Sequence, residues 1–382
     1  MINSYLRSFL LAVVVCLYAM SISAQKSPYI SKIYDFQPAP GQFVNELPEY
    51  ESGDTKEDMI RKVQEYLAND ERSVVSLGAW GGYIVFGFDH PVANVKGRTD
   101  FKILGNALFT GGSSEPGIVY VSYDANKNGV PDDEWYELAG SEYHNPETIH
   151  DYRISYYKPS NNHQPIPDPE DNQILDSKYI RWEDNSGGEG YVQMNVSQLQ
   201  SYWPGWLSET ELSFEGTRLP DNSEKISLIS YYLHAYDWGY ADNVSNNDEA
   251  AELNIEWAVD KNGNKVDLAE IHFIKVQTGL NQTCGWIGET STEVAGAEDL
   301  HPDAETGLDS FQANNFVFSY NRMTNQLQII SSNATTAFIY SIRGVMVKSF
   351  TVSSGKTVLS CDDLPRGIYI LSTDTEKIKF IR

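Results

Sequence analysis

The chain of 382 residues carries 53 Asp and Glu against 28 Lys and Arg, a formal charge of −25 at pH 7. So acidic a surface repels nucleic-acid phosphate and anionic lipid, which argues against both as partners, and it suits an extracellular protein that binds divalent cations. Three cysteines, one of them inside the N-terminal apolar run, argue against a disulfide-built scaffold, whereas 24 Tyr, 15 Phe and 8 Trp suit a large β core.

Residues 1–24 read as a signal peptide: Arg7 supplies a positive start, Phe9 to Met20 is apolar, and Ser21-Ile-Ser-Ala24 precedes Gln25 as a cleavage site. The apolar run is too short for a span, so no transmembrane segment is predicted. Cys16 follows Val15 within that run, which does not fit a lipoprotein anchor. Residues 25–53, with Gln37-Pro-Ala-Pro-Gly41, show few periodic apolar positions and read as an extended lead-in. One helix follows, capped by Asp54 or Thr55, with Met59, Ile60, Val63, Tyr66 and Leu67 on one face through about Asn69.

The region 54–300 then alternates short apolar stretches with turn residues: 83–88, 101–104, 117–123, 152–157, 179–182, 211–214, 226–236, 253–258 and 271–277. Without helical segments between them, these predict an all-β fold, an antiparallel β-sandwich with one docked helix. The region is long enough for one large sandwich or two smaller ones. Residues 158–177 read as a loop insertion and 301–313 as a polar linker.

Within 78–143, "Gly-Tyr-Ile-Val-Phe-Gly-Phe-Asp", "Ser-Glu-Pro-Gly-Ile-Val-Tyr-Val-Ser-Tyr-Asp" and "Glu-Trp-Tyr-Glu-Leu-Ala-Gly-Ser" follow in order. This pattern resembles the discoidin-like, galactose-binding type of jelly roll. The wider region, with "Pro-Ala-Pro-Gly-Gln-Phe-Val-Asn" and "Trp-Ala-Val-Asp-Lys-Asn-Gly-Asn", is similar to uncharacterised cell-surface proteins of gut bacteria. Some of those bear on nutrient capture beside outer-membrane transporters. At the C-terminus, "Ile-Tyr-Ser-Ile-Arg-Gly" (339–344) and "Leu-Pro-Arg-Gly-Ile-Tyr" (364–369) resemble the sorting domain of the type IX (Por) secretion system. That resemblance assigns 314–382 to a small immunoglobulin-like sandwich recognised by the translocon. Its usual Tyr-Pro-Asn-Pro opening is replaced here by Tyr320-Asn-Arg-Met.

The sharpest chemical signal is Asp124-Ala-Asn126-Lys-Asn128-Gly129-Val130-Pro-Asp132-Asp133-Glu134. A hard cation such as Ca²⁺ takes six to eight oxygens, and acids and amides at alternating positions of a tight loop supply them. Asp124, Asn126, Asn128, the Val130 carbonyl, Asp132 and Glu134 are the predicted ligands of a structural calcium. The EF-hand pattern fails at its twelfth position, Trp135, and no helix flanks the loop. The competing reading is a polar Asn-Gly hairpin turn.

Asp237-Trp-Gly-Tyr-Ala-Asp242 either holds another cation or presents Trp238 and Tyr240 at a loop tip, and Cys284-Gly-Trp286 is a further aromatic candidate. Trp238, Tyr240 and Trp286 are thus the candidate ligand-binding residues. No His-Glu-x-x-His, Gly-x-Ser-x-Gly or phosphate-binding loop occurs, so no catalytic residue is assigned. Two acids at the right separation suffice for glycoside hydrolysis, and among 53 acids the sequence does not single out a pair. The expectation is a secreted or surface-exposed, non-catalytic, calcium-stabilised protein that binds an extracellular glycan. A nutrient- or cofactor-capture protein and a carboxylate-dependent glycoside hydrolase are the alternatives.

Overall fold

Alternation of side chains decides the central sheet. In Tyr83–Gly87, Gly117–Ser122 and Phe273–Thr278, every second residue (Ile84, Phe86, Val119, Val121, Ile274, Val276) enters one buried apolar cluster. The computed structural model describes residues 26–227, 230–304 and 316–382, except 322–324, 332–333, 342–343, 354 and 374–376. The signal peptide expected at 1–24 and residues 305–313 of the expected linker lie outside the described residues. The chain divides into two units, Met1–Glu305 and Thr306–Arg382.

The fold is the expected all-β, antiparallel one. The central sheet orders six strands as Lys32–Gln37, Tyr83–Gly87, Phe273–Thr278, Gly117–Ser122, Trp135–Leu138 and Ala258–Val259. Its apolar face is covered by the α-helix Lys56–Leu67, which buries Met59, Val63 and Leu67 at a spacing of four. The helix starts where the sequence places it: Thr55 Oγ1 accepts from Asp58 N at 3.2 Å, and Asp58 Oδ2 accepts from Thr55 N at 3.0 Å. A three-stranded sheet of Glu252–Leu253, Phe101–Leu104 and Gly296–Asp299 adds Phe101, Ile103, Leu253 and Ala297 to the same cluster.

On the opposite face of the central sheet, Lys275 Nζ lies 4.9 and 4.8 Å from the ring centres of Tyr83 and Tyr120. A four-stranded sheet, ordered Glu189–Asn195, Ile174–Asp184, Ile149–Tyr157, Glu211–Arg218, builds a second apolar cluster around Trp80. Tyr156 donates to the Trp80 carbonyl at 2.9 Å. Gly81, at φ +93, lets Phe214 approach to where a Cβ would lie 2.4 Å away. Gln277 Nε2 donates to the Gly81 and Glu215 carbonyls, both at 3.0 Å, tying the layers together. Trp206 packs against both clusters, so one unit holds two joined cores.

Three sequence expectations need correction. The segment 25–53 is no lead-in: Lys32–Gln37 is the edge strand of the central sheet, and Ile30, Ile33, Phe36, Ala39 and Val44 are buried. A register shift between Ile33 and Asp35 breaks the two-residue period, which hid the strand. The stretch 253–258 is not one strand but two-residue strands around a 3-10 turn, Ile255–Trp257. The stretch 226–236 is divided between Ser223–Ser227 and Ser230–Leu233, which pair as a hairpin.

In the second unit, Phe316–Asn321, Gln326–Ser331 and Gly355–Ser360 form one sheet. Met346–Val352, Thr335–Ser341, Ile368–Ser372 and Lys377–Ile381 form another. Leu327 and Ile329 from the first and Ala337, Ile339, Val352 and Leu371 from the second share one core, as in a sandwich. Cys284 and Cys361 are free and buried, one in each unit.

Candidate functional site

After the central strand Phe273–Thr278 the chain makes a loop closed by a bridge between Thr283 and Glu289 and by a 3-10 turn, Gly285–Ile287. Gly285 and Gly288 adopt φ +56 and +95, in the left-handed region that favours glycine. A Cβ on Gly288 would also fall 2.8 Å from Gln42 Nε2, which donates to the Ile287 carbonyl at 2.7 Å. These constraints hold Trp286, 37 % exposed, against a cavity of about 410 Å³. That volume falls within the range of small-molecule sites.

From Glu289 to Glu293 the chain is extended, and alternate side chains face opposite ways. Thr290 and Thr292 turn inward, where Thr290 Oγ1 accepts from Gln282 Nε2 at 2.9 Å and Thr292 Oγ1 donates to the Glu115 carbonyl at 2.8 Å. Glu289, Ser291 and Glu293 line the cavity. Gln42, Asn106 and Asn195 add amides, with Asn195 Nδ2 donating to Gln42 Oε1 at 2.9 Å. Phe43, Leu47 and Ile287 add apolar wall. An aromatic platform with convergent amides and carboxylates is suited to a flat, hydroxyl-rich ligand.

The acids are the unusual part. Glu115 enters from the turn before Gly117–Ser122, and Asp242 from a left-handed position at φ +52. Asp242 Oδ1 accepts from the Asn106 and Ala107 amides at 2.8 and 2.9 Å, and its Oδ2 accepts from Glu293 N at 3.0 Å. One carboxylate oxygen from each of Glu115, Asp242 and Glu293 lies within 4.8 Å of the other two. Burial, and after it mutual repulsion, raises Glu115 and Asp242 well above the ordinary carboxylate range, and burial raises Glu293. Glu115 and Glu293 lie close enough for each to perturb the other. Glu289 is pushed up to about 8 by burial. Its Oε1 accepts from Gln42 N at 2.7 Å, and its Oε2 is buried without a hydrogen-bond partner.

Of the residues singled out from sequence, Trp286 alone lines this cavity. Trp238, 38 % exposed, rests on Trp257 with ring centres 4.5 Å apart. Tyr240 is not at a loop tip: it is buried, stacks edge-on to Tyr236, and its hydroxyl accepts from Glu142 N at 2.9 Å. The three aromatics therefore do not form one patch. Hydrogen bonds link the expected calcium ligands other than Glu134 into one turn, in which the Asn126 and Asn128 side-chain oxygens accept from Asn128 N and Val130 N at 2.9 and 2.7 Å. Asp124 accepts from the amides of Asn128 and Gly129 at 3.0 and 2.9 Å. Asn126 and Asn128 donate through their side-chain amides to Asp132 at 3.0 to 3.2 Å. The Val130 carbonyl accepts from Asp132 N at 2.9 Å. Glu134 turns aside to accept from the Tyr136 hydroxyl at 3.1 Å, while Asp133 accepts from Ala125 N at 3.1 Å.

Glu115, Glu289 and Glu293 were not distinguishable among the acids of the sequence. The available signal was the pattern Glu289-Thr-Ser291-Thr-Glu293, which places two acids and a hydroxyl on one face of an extended segment. Among the described residues no helix is long and apolar enough to cross a membrane. No protein-family model matches the chain, and a search of curated proteins finds no match in sequence.

Proposed function

We propose that this is an exported binding protein that takes a glycan in the cavity beside Trp286. In this reading residues 1–24 direct Sec export to the periplasm, and 314–382 engages the type IX secretion translocon for passage to the cell surface or medium. Calcium bound by Asp124, Asn126, Asn128, Asp132 and the Val130 carbonyl is a structural cofactor that fixes one loop of the sandwich. The observation that carries the binding role is Trp286, part-exposed beside a cavity of about 410 Å³ that amides and carboxylates also line. The 124–132 loop supports the calcium reading because hydrogen bonds hold Asp124, Asn126, Asn128 and Asp132 in one tight turn.

The hydrolase alternative has less support. Carboxylate oxygens of Glu115 and Glu293 lie within 4.8 Å of one another, whereas a retaining glycosidase holds its two carboxyls roughly 5–5.5 Å apart and an inverting one still farther. A cofactor-like small molecule would use the same cavity, so the screen must include both classes. The test is a glycan array and a small-cofactor panel on the full chain, followed by calorimetry of the best ligand with Trp286→Ala. Loss of at least about tenfold in affinity is expected, since tenfold corresponds to about 1.4 kcal/mol and aromatic contacts reach that range. Glycan binding that Trp286→Ala leaves unchanged refutes the site, and binding of cofactors alone refutes the glycan.

A further inference from the structure

We infer that a site for a hard divalent cation of the Ca²⁺ or Mn²⁺ class adjoins this cavity, ligated by Glu115 and Glu293 of its lining together with Asp242, and distinct from the 124–134 loop. Three carboxylates from three separate segments converge so that an oxygen of each lies within 4.8 Å of the others. Asp242 is fixed by three backbone amides, so one ligand is preorganised. Independently, Glu289 faces the same cavity at 5 % exposure with Oε2 unpartnered. A buried carboxylate oxygen without a donor is costly unless something positive approaches it. Among the described residues no basic side chain forms an ion pair with any of these four acids.

The donor set selects the ion. All three ligands are oxygens, and Asn106 and Ser291 beside them bring further oxygens. Such a set suits Ca²⁺ or Mn²⁺ rather than zinc, which favours imidazole and thiolate. The open side of the cavity supplies water to complete a shell of six to eight. This site does not depend on the ligand proposed above, because Trp286 is not among its donors.

The experiment is equilibrium dialysis of the chelator-treated full chain against Mn²⁺, comparing native protein with Glu115→Gln/Glu293→Gln and with Asp124→Asn/Asp132→Asn. The glutamine variant is expected to bind one equivalent fewer than native while the loop variant retains the cavity equivalent. Unchanged stoichiometry in a folded glutamine variant overturns the site. Should that variant not fold, anomalous scattering from native crystals in saturating MnCl₂ decides. A peak bonded to Glu115 and Glu293 is expected, and its absence overturns the inference. Failure of the loop variant to lose manganese counts against the calcium loop only.

Discussion

Glu137 shows how single side chains set the pH response of this fold. It lies beneath a second cavity, and burial pushes its carboxyl up to about 7 against one favourable contact, a hydrogen bond from Thr217 Oγ1 at 2.5 Å. Its folded value lies above the unfolded one, so its contribution is in place below about pH 4.5 and is lost as pH rises through 7. Lys275, lowered to about 8 by burial, stays charged over most of that window, whereas the raised carboxyls Glu289, Glu115 and Asp242 share in the same fall, so the Glu137 part is the difference between native and variant. Glu137→Gln is therefore expected to flatten the fall in stability between pH 5 and 7.5. The gain at the upper end should be about 1–3 kcal/mol, allowing for partial solvent access. Urea unfolding of native and variant at both pH values checks this, and parallel losses would show that Glu137 is solvated.

Among the elements, the strand Lys32–Gln37 has the most to explain, because the residues before the helix showed no strand period. Phe36 is fully buried and stacks on Trp206 with ring centres 5.9 Å apart. Asp35 accepts from the Tyr83 hydroxyl at 2.9 Å and pairs with Lys56 at 2.8 Å, which couples the edge strand to the sheet and the helix. Phe36→Ala is expected to cost about 3–5 kcal/mol, the range for emptying a buried aromatic site. A loss below about 1 kcal/mol in chemical denaturation would mean that the strand is not part of the cooperative core.

The same contrast shows what was legible. The helix was, since Thr55, Asp58 and the apolar face at Met59, Val63 and Leu67 are all local signals. The central strands were, since their alternation is unbroken. Lys32–Gln37 was not, because the bulge at Ile33–Asp35 offsets its apolar residues by one. Glu115 and Glu293 were not either, whereas Asp242 was marked by the acidic run Asp237–Asp242 as a candidate cation ligand; the three meet only through tertiary structure. Tyr240 misled for a related reason: a polar neighbourhood in sequence surrounds a ring that the fold encloses.

The 124–134 loop joins local chemistry to the stability of the whole 1–305 unit. Asp124 is buried at the end of Gly117–Ser122, and its own amide donates to His272 Nδ1 at 3.3 Å, next to the central strand Phe273–Thr278. An ion at Asp124, Asn126, Asn128 and Asp132 would bind the folded chain and not the unfolded one, and by linkage it must raise the free energy of unfolding. At a free concentration 100 times the dissociation constant the gain is about 2.7 kcal/mol. For a unit of this size that amounts to several degrees in the unfolding midpoint. The expected result is a lower midpoint in chelator than in calcium for the native chain and for Glu115→Gln/Glu293→Gln, and no calcium response beyond the cavity's own in Asp124→Asn/Asp132→Asn. Combining all four substitutions should abolish the response. A native midpoint indifferent to verified removal of metal would leave the gathered amides and carboxylates of the loop as a self-bonded turn, its polarity serving only the hydrogen bonds among Asn126, Asn128 and Asp132.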